Sequence, residues 1–315
     1  MALPRGVVIH PDELGDLWLS RLKHSDIRTV GLHPVGGKKA DESLEALRLA
    51  VLRGDFDKKF ATLRQMGIEV EYEMHAMSWL LPRSMFVEHP DWFRMNEAGE
   101  RVADFNLCAS CDESLRFVAA RAAELVKILR PTTHRYHLWI DDVRDSFCHC
   151  SKCRKMSPSD QALLIYNALW KGIRTVDPAA TQCYLAYQNT EPAPTNVKPE
   201  EGIFLEYAPF DRDFTKSLAD EACDKNVHEV APLPELLQCF GRREAKVLEY
   251  WLDNSLFSKW KKPPQFFHLE KEVMRADLNF YQQLGFEDVT VFACYLGEDY
   301  EALHGAPDID AYLKQ

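Results

Sequence analysis

The sequence predicts an α/β protein, a single (β/α)8 TIM barrel over residues 1–315. Short apolar runs rich in β-branched and aromatic residues alternate with longer segments of helical periodicity, which is typical of strands and helices around a parallel sheet. Eight such runs in 315 residues match the size of a barrel domain. No Gly-x-Gly-x-x-Gly motif follows a predicted strand, so an open doubly wound sheet is only the second choice.

The predicted strands are the eight apolar runs, each short enough for a parallel sheet that is buried on both faces. In order they cover residues 6–10, 29–33, 68–75, 136–141, 183–187, 203–207, 246–251 and 289–295. The predicted helices lie between them, at residues 12–23, 56–66, 114–129, 159–176, 234–243 and 270–284. The crossover at residues 190–202 is rich in proline and is expected to be irregular.

Two predicted helices carry recognisable start signals. Ser157 or Ser159 stands before Asp160, and Ser114 follows an Asp-Glu pair ahead of an apolar run. Cap oxygens and negative charge both stabilise the first turn of a helix. Neither a linker nor an internal repeat interrupts the alternation, which favours one domain over two.

The charge balance excludes one class of partner. The chain has 38 Lys and Arg against 49 Asp and Glu, a net charge of -11 at pH 7. Proteins that bind nucleic acid neutralise phosphates with a basic surface, so we expect no nucleic-acid partner. No apolar run approaches the roughly 18 residues of a membrane helix, so we also expect no membrane association. The oligomeric state stays open, with a homo-oligomer as one candidate.

Cysteine usage and the first residues bear on the compartment. Residues 1–6 lead directly into a strand pattern, without the charged and apolar regions of a secretory signal. The nine cysteines are an odd number and are clustered, which suits thiols or a metal site better than disulfides. We therefore expect a cytoplasmic protein.

Polar and aromatic residues concentrate where the predicted strands end. In a (β/α)8 barrel the active site lies at these carboxyl ends. Carboxylates next to aromatic rings suit a sugar, because rings stack on its C–H faces and acids bind its hydroxyls. The alternative is that individual acids form salt bridges at the rim. The strand-end residues are His10, His33, Glu73, His75, Trp79, Asp141, Asp142, Tyr187, Glu206, Tyr207, Glu249, Tyr250, Asp253, Tyr295 and Glu298.

Six of these residues are predicted substrate contacts. A histidine at a strand end can orient or protonate a sugar, and aromatic rings can form stacking platforms. The alternatives are a hydrogen-bonded structural role for the histidine and a place in the core for the rings. The predicted contacts are His75, Trp79, Tyr187, Tyr207, Tyr250 and Glu298.

Adjacent aspartates follow the fourth predicted strand. Residues 137–140 have the pattern of a buried strand, and Asp141 and Asp142 come directly after it. Two close carboxylates repel each other, so the pKa of one should rise, as a general acid near neutral pH requires. The alternative is an aspartate that caps the loop and pairs with Arg144. We predict a general acid in this pair.

A cysteine cluster follows immediately. Cys148, Cys150 and Cys153 form a Cys-x-Cys-x-x-Cys motif within six residues. Zn²⁺ in structural sites takes four tetrahedral ligands, and Cys108, in the preceding loop on the same face, is the predicted fourth. Cys111 and His149 are the alternative fourth ligands. Free buried thiols are the alternative to a metal, and a catalytic zinc is disfavoured because a thiolate-rich site leaves no position open for water.

Several motifs together resemble a known family. They are residues 89–93 (His-Pro-Asp-Trp-Phe), 99–101 (Gly-Glu-Arg) and 106–108 (Asn-Leu-Cys), then the aspartate pair and the cysteine motif, and finally residues 159–161, 166–167 and 185–187. These resemble an uncharacterised bacterial family of glycosidase-like TIM barrels, which is similar to α-glucuronidases and β-N-acetylhexosaminidases. The resemblance covers residues 68–210 well and the remainder only as a barrel pattern.

The resemblance implies a glycosidase that acts on a carbohydrate, such as a hexosaminide or a uronide. Hexosaminidases have an Asp-Glu pair at the end of the fourth strand, so Asp142 would match the acid, one methylene shorter, and Asp141 would orient. That departure argues against the substrate-assisted chemistry of hexosaminidases. In glucuronidase-like barrels further acids come from later strands, which makes Glu206 and Glu249 the partners as base or nucleophile.

Three functional hypotheses follow from the sequence. The first is a glycoside hydrolase with carboxylate acid/base catalysis and no organic cofactor. The second is a carbohydrate-binding barrel without turnover that holds a structural zinc, since a fold alone confers no activity. The third is a metal-dependent hydrolase that uses the cysteine loop.

Overall fold

The computed structural model describes residues 3–141 and 143–314. Asp142, the predicted general acid, therefore lies outside the described residues. Eight parallel strands close a barrel in sequence order, and β1 pairs with β8. This confirms the predicted (β/α)8 barrel and excludes the open doubly wound sheet. The strands are β1 (Arg5–Ile9), β2 (Thr29–Leu32), β3 (Glu69–His75), β4 (Arg135–Trp139), β5 (Thr181–Ala186), β6 (Ile203–Tyr207), β7 (Lys246–Glu249) and β8 (Asp288–Phe292).

Helices cover the outside of the barrel. The first six are α1 (Asp16–Lys23), α2 (Ala40–Leu52), α3 (Asp57–Gln65), α4 (Met77–Leu80), α5 (Asp112–Val126) and α6 (Pro158–Ile173). The others are α7 (Asp224–Val230), α8 (Leu233–Phe240), α9 (Asn254–Phe257), α10 (Lys271–Leu284), α11 (Glu298–His304) and α12 (Asp310–Leu313).

The predicted elements have counterparts, but six observed helices were not predicted, namely α2, α4, α7, α9, α11 and α12. The longest of these is α2, in which only Ala40, Leu44 and Leu47 are buried, while Leu49 and Leu52 are exposed and blur the apolar periodicity. At α6 the predicted start signal is confirmed, since the Ser157 hydroxyl accepts the Asp160 amide in a capping box. At α5 the acidic first turn is present, but Cys111 is the N-cap and makes no side-chain capping bond.

The barrel interior beneath the mouth is charged. Lys246 Nζ lies 2.7 Å from Glu73, 3.2 Å from Glu71 and 3.3 Å from Glu206. The two nitrogens of the His137 ring lie 3.2 Å from Glu71 and 3.0 Å from Glu206. All five side chains are fully buried. The inward faces of β3, β4, β6 and β7 are therefore held together by ion pairs.

The members of this interior cluster determine one another's pKa values. Burial alone would lower the pKa of His137, but Glu206 and Glu71 raise it to about 9, so the ring is a cation at neutral pH. Burial would raise the pKa of Glu71 and Glu206, but Lys246 and His137 hold both pKa values well below the ordinary range. Burial raises the pKa of Glu73. Lys246 and His137 also lower the pKa of Glu73, against the effect of its burial and of the neighbouring carboxylates.

Strand β2 passes close to this cluster. A Cβ atom at Gly31 would lie 2.7 Å from Glu73 Oε1, closer than a Cβ carbon approaches a non-bonded oxygen. Glycine at this position makes room for the Glu73 carboxyl group inside the barrel.

Replacing Lys246 with methionine removes the cation that three buried glutamates share. We expect the free energy of unfolding to fall by about 3–5 kcal/mol, because breaking a buried ion pair leaves uncompensated charge in the interior. Urea denaturation followed by circular dichroism measures this change. Lys127→Met, which removes an exposed lysine paired with Glu124, is the control and should change stability little. Equal stability of Lys246→Met and wild type would contradict this interpretation.

Candidate active site

A cavity of about 390 Å³ opens at the carboxyl ends of the strands. This is the face on which (β/α)8 barrels carry their active sites, and the volume lies in the range of small-molecule sites. Seven of the nine main lining residues end a strand or directly follow one, at β1, β2, β3, β4, β5, β7 and β8. Tyr295 lies three residues after β8, and Trp260 comes from a loop. The nine residues are His10, His33, His75, Trp139, Tyr187, Tyr250, Phe292, Tyr295 and Trp260.

Three histidines line one side of this mouth cavity in a regular arrangement. The Nδ1 atom of His10 lies 2.8 Å from the carbonyl oxygen of His33, and that of His33 lies 2.8 Å from the carbonyl oxygen of Glu73. The Nδ1 atom of His75 lies 3.0 Å from the carbonyl oxygen of Ile140. Each ring thus donates to the next strand or its exit, and this fixes both its orientation and its Nδ1–H tautomer.

Burial decides the charge of two of these rings. Burial lowers the pKa of His10, against the raising effect of its bond to the His33 carbonyl. Burial, with His10 and His75 nearby, lowers the pKa of His33 well below the ordinary value. Both rings are therefore neutral near pH 7, and their Nε2 atoms are hydrogen-bond acceptors suited to hydroxyl groups.

Aromatic rings form the walls and floor of the cavity. Tyr250 stacks on Phe292 with ring centroids 5.4 Å apart. Trp139 lies 5.5 Å from His33 and 5.1 Å from His75, centroid to centroid. Its indole nitrogen donates to Glu206 in the barrel interior at 2.8 Å. Trp139 therefore forms the floor between the mouth cavity and the charged interior.

One tryptophan stands at the rim. Trp260 lines the cavity, yet 62% of it is exposed. Lys259 and Trp260 have φ angles of 54° and 53°, and Tyr295, which also lines the cavity, has a φ of 63°. Non-glycine residues in this left-handed region cost about 1–3 kcal/mol each, and such strain concentrates at binding and active sites. An exposed flat ring beside a cavity is suited to stack on a ligand.

Asp253 contributes a carboxyl group to the cavity. It lies four residues after the end of β7 and caps α9, where Oδ1 accepts the amides of Ser255 and Leu256 and the Ser255 hydroxyl, the last at 2.5 Å. Burial raises its pKa to about 6, although these hydrogen bonds lower it. A carboxyl group with a pKa near the working pH is suited to acid/base or nucleophilic chemistry.

Asp141 lies beside the cavity and does not line it. It borders a small adjoining recess together with Leu185 and Tyr187, which the two spaces share. Its carboxylate pairs with Arg83 at 2.9 Å, and Asn106 accepts its backbone amide at 2.9 Å. Asp141 is thus held firmly next to Asp142. Its role as an orienting residue stays a prediction.

Two predicted catalytic partners lie away from the mouth. Glu206 is fully buried in the interior cluster, below Trp139. Glu249 is also fully buried, on the outer face of β7, where it accepts hydrogen bonds from Arg212 at 2.8 Å and from the Tyr281 hydroxyl at 2.5 Å. The prediction that either one is the base or nucleophile is corrected, because neither carboxylate lines the cavity.

Three predicted substrate contacts also lie elsewhere. Trp79 is on α4, where its indole nitrogen donates to Glu45 and Arg121 stacks 3.9 Å above its ring. Tyr207 is fully buried, and its hydroxyl donates to the Glu229 carbonyl. Glu298 is exposed at the first residue of α11, outside the cavity lining. The predictions for His75, Tyr187 and Tyr250 do place side chains in the cavity.

Sequence reasoning missed Trp139 and Trp260. Trp139 was included in the apolar run of the fourth strand, but β4 alternates, and Arg135, His137 and Trp139 share its inward face. That alternation of polar and apolar residues was the available signal. Trp260 lies in a loop without periodicity, and no pattern in the sequence indicates its exposure. Asp253 was noted as a strand-end residue but was not predicted to be catalytic.

The four predicted metal ligands come together. The sulfur atoms of Cys108, Cys148, Cys150 and Cys153 lie within 4.8 Å of one another. None of the four lines the mouth cavity. A metal held there would lie outside the lining of the mouth cavity, and the metal-dependent hydrolase that uses this loop stays a hypothesis.

Comparison with protein families identifies one match. The model of the family described as domain of unknown function (DUF4838) matches residues 51–232. That range contains the motifs between residues 89 and 187 on which the sequence resemblance depends. No curated protein matches the sequence.

Several solved glycoside hydrolases have a similar fold. The lactosyl-enzyme intermediate of endo-glycoceramidase II from Rhodococcus sp. aligns with a TM-score of 0.52 and 11% identity, over 93% of this chain and 73% of that one. The cellobiose-like imidazole complex of the same enzyme gives a TM-score of 0.53 and 12% identity, with the same coverage. A variant of the Thermobaculum terrenum O-GlcNAc hydrolase gives 0.50 and 9%, over 98% of this chain and 57% of that one. At these identities the similarity shows a glycoside hydrolase-like barrel fold.

The structure describes helices in residues 3–141 and 143–314. None of them has both the length and the apolar character needed to cross a bilayer.

Glu249 should make stability depend on pH. Burial raises its pKa from 4.5 to about 7 in the folded protein, although Arg212 lowers it. As the pH rises from about 4.5, the carboxyl group ionises first in the unfolded chain, so the folded state loses stability until about pH 7. Glu249→Gln keeps an acceptor for Tyr281 and cannot ionise. We expect the free energy of unfolding of wild type, relative to this variant, to fall between pH 4.5 and 7 in urea titrations. Parallel pH profiles for the two proteins would contradict a buried, raised-pKa carboxyl group at this position.

Proposed function

The chain belongs to the DUF4838 family, and we propose that it is a glycoside hydrolase whose active site is the mouth cavity. One observation carries the proposal: an aromatic-walled cavity of about 390 Å³ at the carboxyl ends of the strands contains the buried carboxyl group of Asp253. The glycoside hydrolase-like fold supports the same reaction class. The proposed substrate is a carbohydrate, of the hexosaminide, uronide or related glycoside class.

The chemistry of the walls favours a sugar. A sugar has apolar C–H faces and a rim of hydroxyl groups, so it requires both flat rings and hydrogen-bonding groups. Tyr250 and Trp139 supply rings, and Trp260 adds an exposed ring at the entrance. Neutral His10 and His33 supply Nε2 acceptors for hydroxyl groups. Among the described residues, the lining is uncharged apart from Asp253 and titratable rings, which suits a polyol better than a phosphate.

Asp142 and Asp253 are the proposed catalytic residues. Asp142, next to Asp141 after β4, gives its proton to the glycosidic oxygen as the bond from that oxygen to the anomeric carbon breaks. The Asp253 carboxylate either attacks the anomeric carbon or takes a proton from an attacking water. Glycosidases that retain configuration have carboxyl groups about 5 Å apart, and inverting ones about 6.5–9.5 Å. The product's anomeric configuration therefore reports which role Asp253 has.

Asn substitutions at the two aspartates test this assignment. Asp253→Asn preserves the acceptor that caps α9 and removes the charge, and Asp142→Asn removes the acidic proton. We expect each to lower kcat/KM by at least about 10²-fold on any cleaved aryl glycoside, with thermal unfolding close to wild type. Unchanged hydrolysis by either variant would contradict the assignment. Saccharide binding by wild type without product release would instead identify a non-catalytic carbohydrate-binding barrel.

The Asp253 carboxyl group should also determine the acid limb of the pH profile. Its reactive form is ionised and its pKa is about 6, so kcat/KM should fall as the pH drops below about 6. Ser255→Ala removes a hydrogen bond that lowers this pKa, so the limb should move to higher pH. Ser25→Ala, which removes a hydrogen bond to the Leu22 carbonyl, is the control. An acid limb that stays in place in Ser255→Ala would show that another group controls it.

Trp260 should contribute to saccharide binding. Loss of ring stacking costs about 0.5–1.5 kcal/mol, so Trp260→Ala should raise KM up to about 10-fold and leave kcat within a few-fold. Phe266→Ala removes an equally exposed ring, 71% accessible, that does not line the cavity, and should leave KM unchanged. Steady-state kinetics on one oligosaccharide measures both. Equal effects of the two substitutions would argue against a stacking platform at Trp260.

A further inference from the structure

Four cysteine side chains converge from two loops beside the barrel mouth. Cys108 lies between β3 and α5, and Cys148, Cys150 and Cys153 lie between β4 and α6. All four are buried. Cys111 and His149, the alternative ligands considered from the sequence, are outside this group of converging atoms among the described residues.

The distances between these sulfur atoms fit one metal ion. Cys108 Sγ lies 3.5 Å from Cys148 Sγ, 3.8 Å from Cys150 Sγ and 3.9 Å from Cys153 Sγ. Four thiolates bound to Zn²⁺ at about 2.3 Å in a tetrahedron lie about 3.8 Å apart. We propose that Cys108, Cys148, Cys150 and Cys153 bind one structural Zn²⁺.

Hydrogen-bond donors and a cation surround the four sulfur atoms. The Met95 amide donates to Cys148 Sγ at 3.3 Å, and the Cys153 amide donates to Cys150 Sγ at 3.5 Å. The Arg101 guanidinium lies 3.8 Å from Cys148 Sγ. A Zn²⁺ ion with four thiolates carries a net charge of -2, and amide donors with a nearby cation stabilise that charge.

The backbone that carries the ligands is held in place from outside the cluster. Gln161, in the first turn of α6, accepts the Cys148 amide at 3.0 Å and donates to the carbonyl oxygens of Cys148 and Cys153, each at 3.2 Å. Its side chain is buried. The site is thus built by side chains that orient the ligands, as metal sites require.

Four protein ligands leave no coordination position for water, so the proposed zinc is structural. It joins the loop after β3 to the loop after β4. Asn106, two residues before Cys108, accepts the Asp141 amide at 2.9 Å. The metal therefore stabilises the fold where the chain leaves β4, and this inference does not depend on the proposed hydrolase activity.

Metal analysis of the purified full-length chain tests the site. We expect about one zinc per chain by plasma mass spectrometry, with sulfur-only coordination at about 2.3 Å in X-ray absorption spectra. Cys148→Ser and Cys153→Ser should each retain less than about a fifth of that zinc. Cys239→Ser, which changes a half-buried cysteine on α8, should retain all of it. Removal of zinc from wild type by a chelator should lower Tm by several degrees.

If the serine variants fail to fold, measurements on the wild-type protein alone test the zinc site. Titration with an organomercurial, which also modifies the other five cysteines, should release one zinc per chain, as a zinc-binding dye reports. Zinc content near zero after growth and refolding with excess Zn²⁺ would overturn the proposal. So would a disulfide among the four cysteines in non-reduced peptide maps, an iron–sulfur absorption band, or loss of zinc in Cys239→Ser.

Discussion

The ion cluster around Lys246 is the constraint on which the rest of the structure depends. One ammonium group lies within 3.3 Å of three glutamates from two other inward-facing strands, and His137 links two of the same carboxylates. Charges buried without partners are strongly destabilising, so the four strands that carry these groups must keep their register. Glu206 then accepts the indole of Trp139 and so fixes the floor of the mouth cavity. The ion cluster that stabilises the barrel therefore also positions the floor of the cavity that can bind a ligand.

Depth along the barrel axis separates structural acids from reactive ones. Glu206 is held ionised by His137 and Lys246 and lies under a tryptophan, so no substrate reaches it. Asp253 lies at the mouth, where burial raises its pKa and no cation pairs with it in the described residues. The same chemical group thus stabilises the fold at one depth and can react at another. The three histidines also lie at the level of the mouth, where backbone carbonyl oxygens accept from their Nδ1 atoms and fix their tautomers.

The sequence was sufficient for the barrel and for much of the mouth. Eight apolar runs predicted the strands, and strand ends predicted His75, Tyr187, Tyr250 and the convergence of Cys108 with the Cys-x-Cys-x-x-Cys motif. It was insufficient for Glu206, which lies below Trp139 inside the barrel, and for Glu249, which faces outward to Arg212 and Tyr281, because a strand end in sequence shows neither the depth nor the face of a side chain. Trp79 follows β3 but lies on a short helix that turns outward. Trp260 belongs to a loop, and tertiary packing alone decides its exposure.

The central proposal is that Asp142 and Asp253 cleave a saccharide bound in the mouth cavity. The most direct measurement is a crystal structure of the Asp253→Asn protein with an oligosaccharide that wild type hydrolyses. The glycosidic oxygen should lie within hydrogen-bonding distance of Asp142, and the substituted amide should face the anomeric carbon, with a sugar ring on Trp260. Saccharide bound elsewhere, for example in the surface groove at Trp79, with the mouth cavity empty, would contradict the claim.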